Sequence, residues 1–98
     1  MVNQHQIAAG VQRAANALAD TVVRIRYDFG QDWTGDPSIF FRIVITDDAA
    51  KKPRLNETAN AIALILMREV KAEEQGLHPY FNFRSASEQA TLKEPAWA

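Results

Sequence analysis

Four of the seven arginines, Arg24, Arg26, Arg42 and Arg84, fall on one parity of three alternating segments, together with Phe40, Tyr80 and Asn82. None of the four lysines joins them. Guanidinium forks grip oxyanions and aromatic rings offer stacking platforms, so this set suits phosphates and bases, or an acidic protein surface. A merely wet face would be served as well by lysine. The alternative is a solvated face on which Asp28 neutralises Arg42 across a hairpin and the long arginine stems cover the sheet. Strand register separates the two pictures. Asp28 opposite Arg42 is modestly favourable, whereas Arg26 opposite Arg42 is unfavourable unless an acid or anion sits between them.

A second group, Asp28, Asp32 and Asp36, recurs every four residues around Trp33. Three carboxylates could hold a divalent cation for a metal-dependent enzyme. The spacing is not that of a D-x-[DN]-x-[DN]-G loop, however, and no later glutamate completes a ligand set. A turn decorated with acids is the simpler reading, and no metal or cofactor is assigned. Trp33 either folds back on the core edge or anchors a partner, and Trp97, beside Pro95, either docks on its own domain or inserts into a neighbour. His5 lies in a first helical turn and His78 precedes Pro79, neither with a local acid/base arrangement. Asp47 and Asp48 follow a strand end and equally suit the approach to a helix. No phosphate-binding glycine signature is present. Catalysis is therefore not expected, and no catalytic residue is assigned.

The elements that must position these residues follow from periodicity. From Gln4 to Asp20, Ile7, Val11 and Leu18 with their neighbouring alanines form one apolar stripe, which predicts a first helix. From Thr21 the period becomes two, with Val23, Ile25, Tyr27 and Phe29 facing the core. Gly30 to Ser38 is rich in turn chemistry and reads as a long hairpin loop. Ile39, Phe41, Ile43 and Ile45 then mark a second strand, antiparallel to the first. A second helix is predicted from near Pro53 to Gly76, a residue suited to a left-handed C-cap. It is apolar nearly all round, so it either lies centrally in the core, the preferred reading, or offers a second face through Ala61, Leu64, Ile65 and Met67. Phe81 and Phe83 point a third strand, Tyr80 to Arg84, toward the same core. Ser85-Ala-Ser-Glu88 matches a capping box and leaves room for one or two helical turns before Pro95.

The fold class is accordingly α+β, in α-β-β-α-β order, with two long helices on one face of a three-stranded sheet. Residues 1–84 form the domain and residues 85–98 a C-terminal tail. The crossover through the second helix should be right-handed if the third strand joins the sheet. With 98 residues there is room for one core only. A net charge of −1 argues against a surface that is basic throughout. The absence of cysteine removes disulfide, thiol and thiolate-zinc chemistry and suits a reducing, cytoplasmic home. The longest apolar run, from Ala61 to Met67, is too short to span a bilayer, and the first twelve residues contain no Lys or Arg to open a signal peptide.

In architecture alone this order resembles the type II KH family of RNA-binding domains, which clamps a nucleic-acid backbone with a G-x-x-G loop. Here the approach to the third strand is Gly76-Leu-His-Pro79. No residue is carried over from that family, and no membership follows. The leading functional expectation is a non-enzymatic interaction module, a homo-oligomer or a small, antitoxin-like accessory subunit of a larger assembly. It would use the arginine-rich face and the two tryptophans. The alternative is an RNA or single-strand binder acting through the same face; no membrane partner is expected.

Overall fold

A computed structural model describes residues 2–98. The elements are α1 (Gln4–Ala17), β1 (Val22–Gln31), β2 (Pro37–Ile45), α2 (Lys52–Val70), β3 (His78–Ser85) and α3 (Ala86–Leu92), with short 3-10 helices at Ala72–Gln75 and Pro95–Trp97. The α+β expectation holds. β2 is the central strand, antiparallel to β1 and parallel to β3. Its Ile39, Phe41, Ile43 and Ile45 are almost completely buried against Ile7, Val11 and Ala14 of α1 and Ile62, Leu66 and Val70 of α2. Both long helices thus lie on one face of the sheet. Among the described residues, no helix is long and apolar enough to cross a membrane.

Asn3 caps α1, its side chain accepting from the Gln6 N–H. Helix α1 ends at Ala17, short of Asp20. The two helices cross closely at Gly10, because a Cβ there would lie 2.5 Å from the Glu69 carbonyl oxygen. Arg13 fastens the same point, its Nη2 donating to that carbonyl at 3.0 Å and its Nε to the Glu69 carboxylate at 2.8 Å.

Further sequence expectations need correction: the loop expected over 30–38 shrinks to 32–36, because Gly30 and Gln31 still pair in β1 with Ser38 and Pro37 of β2. The first-strand parity fails at its start, where Val22 rather than Val23 is buried. A bulge between Val22 and Arg24 accommodates Val23 as an extra residue, which lets Val22 pair with Ile45 on the core side while Arg24 keeps the opposite face. Phe29 is well exposed instead of buried, since it sits on an edge strand beyond the helix-covered core and touches Tyr27 edge-on. Helix α2 stops at Val70 because Lys71 adopts a left-handed conformation (φ 55°), and Gly76 caps the following 3-10 helix instead. Finally, α2 is not buried all round. Leu64 and Met67 are exposed while Ile62, Leu66 and Val70 carry the core contact.

The third strand runs from His78, two residues earlier than expected, and Pro79 is tolerated because β3 is an edge strand. The capping box forms: Ser85 accepts from the Glu88 N–H and the Glu88 carboxylate accepts from the Ser85 N–H. Ser85→Ala should therefore cost about 1 kcal/mol in a urea melt. Asp47 anchors the same helix from outside, its Oδ1 accepting from the Ser87 N–H at 3.0 Å and the Ser87 hydroxyl at 2.7 Å. Asp48 pairs with Lys51 and Arg54. Both acids after β2 are thus engaged by neighbouring elements.

Residues 86–98, which follow β3, pack against the sheet face opposite α1 and α2. Val44, which shares a parity with the arginines, is only 1% exposed. It lies among Arg24, Ala86, Gln89, Ala90 and Ala98. Trp97 is buried on its own domain, the first of its two expected fates.

Candidate functional site

Strand pairing arranges the face opposite the long helices in rows. Arg24, Val44 and Arg84 form one, Arg26, Arg42 and Asn82 the next, and Asp28, Phe40 and Tyr80 the third, nearest the hairpin. The realised register is the one with two arginines directly opposite each other. The oxygens that relieve it come from this chain. Arg42 Nη1 donates to Asp28 Oδ2 at 2.5 Å, one pair further along, and Arg26 Nε donates to the Ala98 main-chain oxygen at 2.6 Å. Such partly exposed pairs contribute about 0–1 kcal/mol each, so they orient guanidinium groups more than they hold the fold together.

The basic end of the face is occupied by the C-terminal segment. Arg24 Nε donates to the Trp97 carbonyl at 2.8 Å. Arg84 lies over the Trp97 ring, 4.3 Å from its centroid, and its guanidinium also donates to Glu94 at 2.7 Å and Gln89 at 3.2 Å. Cation–π contact and a charge-assisted hydrogen bond act together here on one side chain. Arg24, Arg26 and Arg84 therefore all have intramolecular partners.

The hairpin end is open. Trp33, 85% exposed, stands 6.1 Å from Tyr80, and Tyr80 stacks on Phe40 at 5.4 Å with an interplanar angle of 15°. A cleft of about 320 Å³ runs between these rings, lined also by Gln31, Asp32 and Asn82. Asp32 organises it. Its Oδ1 accepts from the Thr34 hydroxyl at 2.6 Å, the Thr34 N–H at 2.9 Å and the Asp36 N–H at 3.1 Å, while Oδ2 accepts from the Tyr80 hydroxyl at 2.7 Å. The Thr34 and Tyr80 hydroxyls stabilise the carboxylate and hold its pKa well below the ordinary range; the same bond to Asp32 raises that of Tyr80. The acid is thus ionised and the phenol protonated at neutral pH.

A measurable pH dependence follows. A carboxylate whose folded pKa is depressed contributes stability above its unfolded value, near 3.8, and that contribution is lost as pH falls through the folded value. Asp47, lowered chiefly by the Ser87 backbone N–H, has the same sign. Thermal melts should therefore show stability declining below about pH 4, with a shallower decline in Asp32→Asn.

Asp28, Asp32 and Asp36 have separate roles: Asp28 meets Arg42, Asp32 ties the loop to Tyr80, and Asp36 lies 3.5 Å from His78. Among the described residues, no three carboxylate or imidazole groups converge to hold a metal ion. The bond from Tyr80 to Asp32 joins residues 48 apart and had no local sequence signal. Burial of Val44 did have one: an apolar residue on a parity otherwise occupied by Phe40, Arg42 and Thr46 called for a cover, which residues of the C-terminal segment supply. No family model, curated protein or solved structure matches this chain.

Proposed function

We propose that this protein is a non-enzymatic interaction module that docks a protein partner on the open aromatic surface at the hairpin end, as a small accessory, antitoxin-like subunit. Trp33 carries this reading: a tryptophan left 85% exposed beside two further rings is the kind of anchor that dominates protein interfaces. Most of the basic groups on this face are engaged within the chain, which favours a protein partner over a polyanion. Exposed Leu64 and Met67 on α2 offer a separate surface for self-association.

Affinity capture from native cells with wild-type and Trp33→Ala protein tests the proposal. A stoichiometric partner retained by the wild type and lost, by at least about tenfold, from a normally folded Trp33→Ala variant is the expected result. Retention by both would move docking elsewhere, and light scattering of the purified chain would then decide whether α2 mediates an oligomer. The second reading, single-stranded RNA stacked on Phe40, Tyr80 and Trp33, is supported by the near-parallel Phe40–Tyr80 pair. It predicts salt-sensitive anisotropy changes of a labelled RNA that disappear in a normally folded Trp33→Ala, Arg42→Gln variant.

A further inference from the structure

We infer that the cleft beside Trp33 recognises an arginine side chain carried by a basic segment of the partner; this rests on the docking reading above and adds the chemistry of its ligand. The exposed Trp33 ring and the half-buried Phe40–Tyr80 pair supply π-faces, and a planar guanidinium both stacks on such faces and donates in their plane. The acceptors for those donors are in place. Asp32 Oδ2 receives only the Tyr80 hydroxyl, which leaves it capacity for a second donor. Asp36 is more than half exposed, with His78 as its partner at 3.5 Å. Asp28 pairs across β1 and β2 with Phe40, adjoining the cleft. Asp28 and Arg42 offset each other, so the net charge beside the rings comes from Asp32 in the cleft wall and from Asp36, which acts on Tyr80 from nearby and faces His78 on its other side. The local field therefore favours a cation and disfavours a phosphate chain.

The same chain shows this mode of recognition at the other end of the face. Arg84 lies against Trp97 while Glu94 accepts from its guanidinium. The hairpin end presents a comparable pair of groups, an exposed ring, Trp33, and a half-exposed carboxylate, Asp32, lining one cleft.

The test follows the indole N–H signals of Trp33 and Trp97 by NMR in the full chain, titrated with acetyl-Gly-Gly-Arg-Gly-Gly-amide and with its citrulline counterpart, which keeps the shape and loses the charge. The arginine peptide should shift Trp33 and leave Trp97 in place, with a Kd on the order of 1 mM, and the citrulline peptide should bind at least about tenfold more weakly. Asp36→Asn, at an exposed position, should weaken arginine binding several-fold without changing the fold. Equal response to the two peptides, an unmoved Trp33 signal, or a shift produced by oligouridine instead would overturn the inference. The arginine and docking readings fail separately. A partner captured through Trp33 whose binding survives both Asp36→Asn and excess arginine peptide removes the arginine inference alone, whereas a partner indifferent to Trp33→Ala removes the docking surface itself.

Discussion

Trp97→Ala is expected to destabilise the protein by about 3 kcal/mol, the cost of deleting a large buried aromatic side chain. In a domain of this size that corresponds to a fall in Tm of roughly 15 °C. The ring lies against Arg84, and its own carbonyl accepts from Arg24. Its loss removes a buried apolar group from the C-terminal segment and the stacking surface of one guanidinium, while Arg84 retains Glu94 and Gln89. Deletion of packing, not of charge pairing, therefore dominates. Trp97→Phe, which keeps a ring for Arg84, should recover a substantial part of the loss. The variant should also be cut by proteases within residues 86–98 under conditions that leave the wild type intact, because α3 has only seven residues and depends on tertiary contacts. A Trp97→Ala protein that melts with the wild type and resists cleavage would show that the C-terminal segment adds nothing to the fold.

Gly10→Ala presents the opposite case, a substitution that local propensity favours and packing forbids. In an exposed helix interior, alanine exceeds glycine by about 1 kcal/mol. Here the new Cβ would sit 2.5 Å from the Glu69 carbonyl oxygen and 2.9 Å from the Val70 Cα, both main-chain atoms that cannot rotate away. Helix α1 must therefore shift from α2, loosening Ile7, Val11 and Ala14 in a core where all three are buried. Overpacking of this kind costs about 1–3 kcal/mol, and with the backbone as the obstacle the upper part of that range applies. The net expectation is a loss of about 2 kcal/mol, read as a lower urea midpoint, with Gly10→Val losing more. A gain in stability on Gly10→Ala would mean that the helices are further apart than described. The Arg13 bonds to Glu69 sit beside this crossing, but the pair is partly exposed and would not hold the helices against a clash.

Much of the architecture was legible in the residue order because it rests on local periodicity. The buried parity of β2, the core stripe of α1, the antiparallel hairpin and the Ser85 capping box all depend on neighbours within a few positions. The errors fall where a distant or local constraint overrides that pattern. A bulge at Val23 exchanges the faces of adjacent residues, and left-handed Lys71 ends α2 six residues before Gly76. At Phe29 a correct alternation runs past the helices that would have covered it.

The arginine-bearing face follows the same division. Alternation alone was sufficient to put Arg24, Arg26, Arg42, Arg84, Phe40, Tyr80 and Asn82 together, since successive side chains in a strand point to opposite sides of the sheet. It could not say which of them remain open, because the groups that engage them, Trp97, Ala98, Glu94 and Asp32, arrive through loops and turns whose paths no short-range pattern records. Tertiary structure therefore divided one apparently uniform surface into a basic end closed by the chain's own C-terminal segment and an aromatic, acidic end left open around Trp33. Gly10 lies wholly on that second side of the division: nothing in its own helix requires a glycine, and only the main chain of α2, brought against it by folding, does.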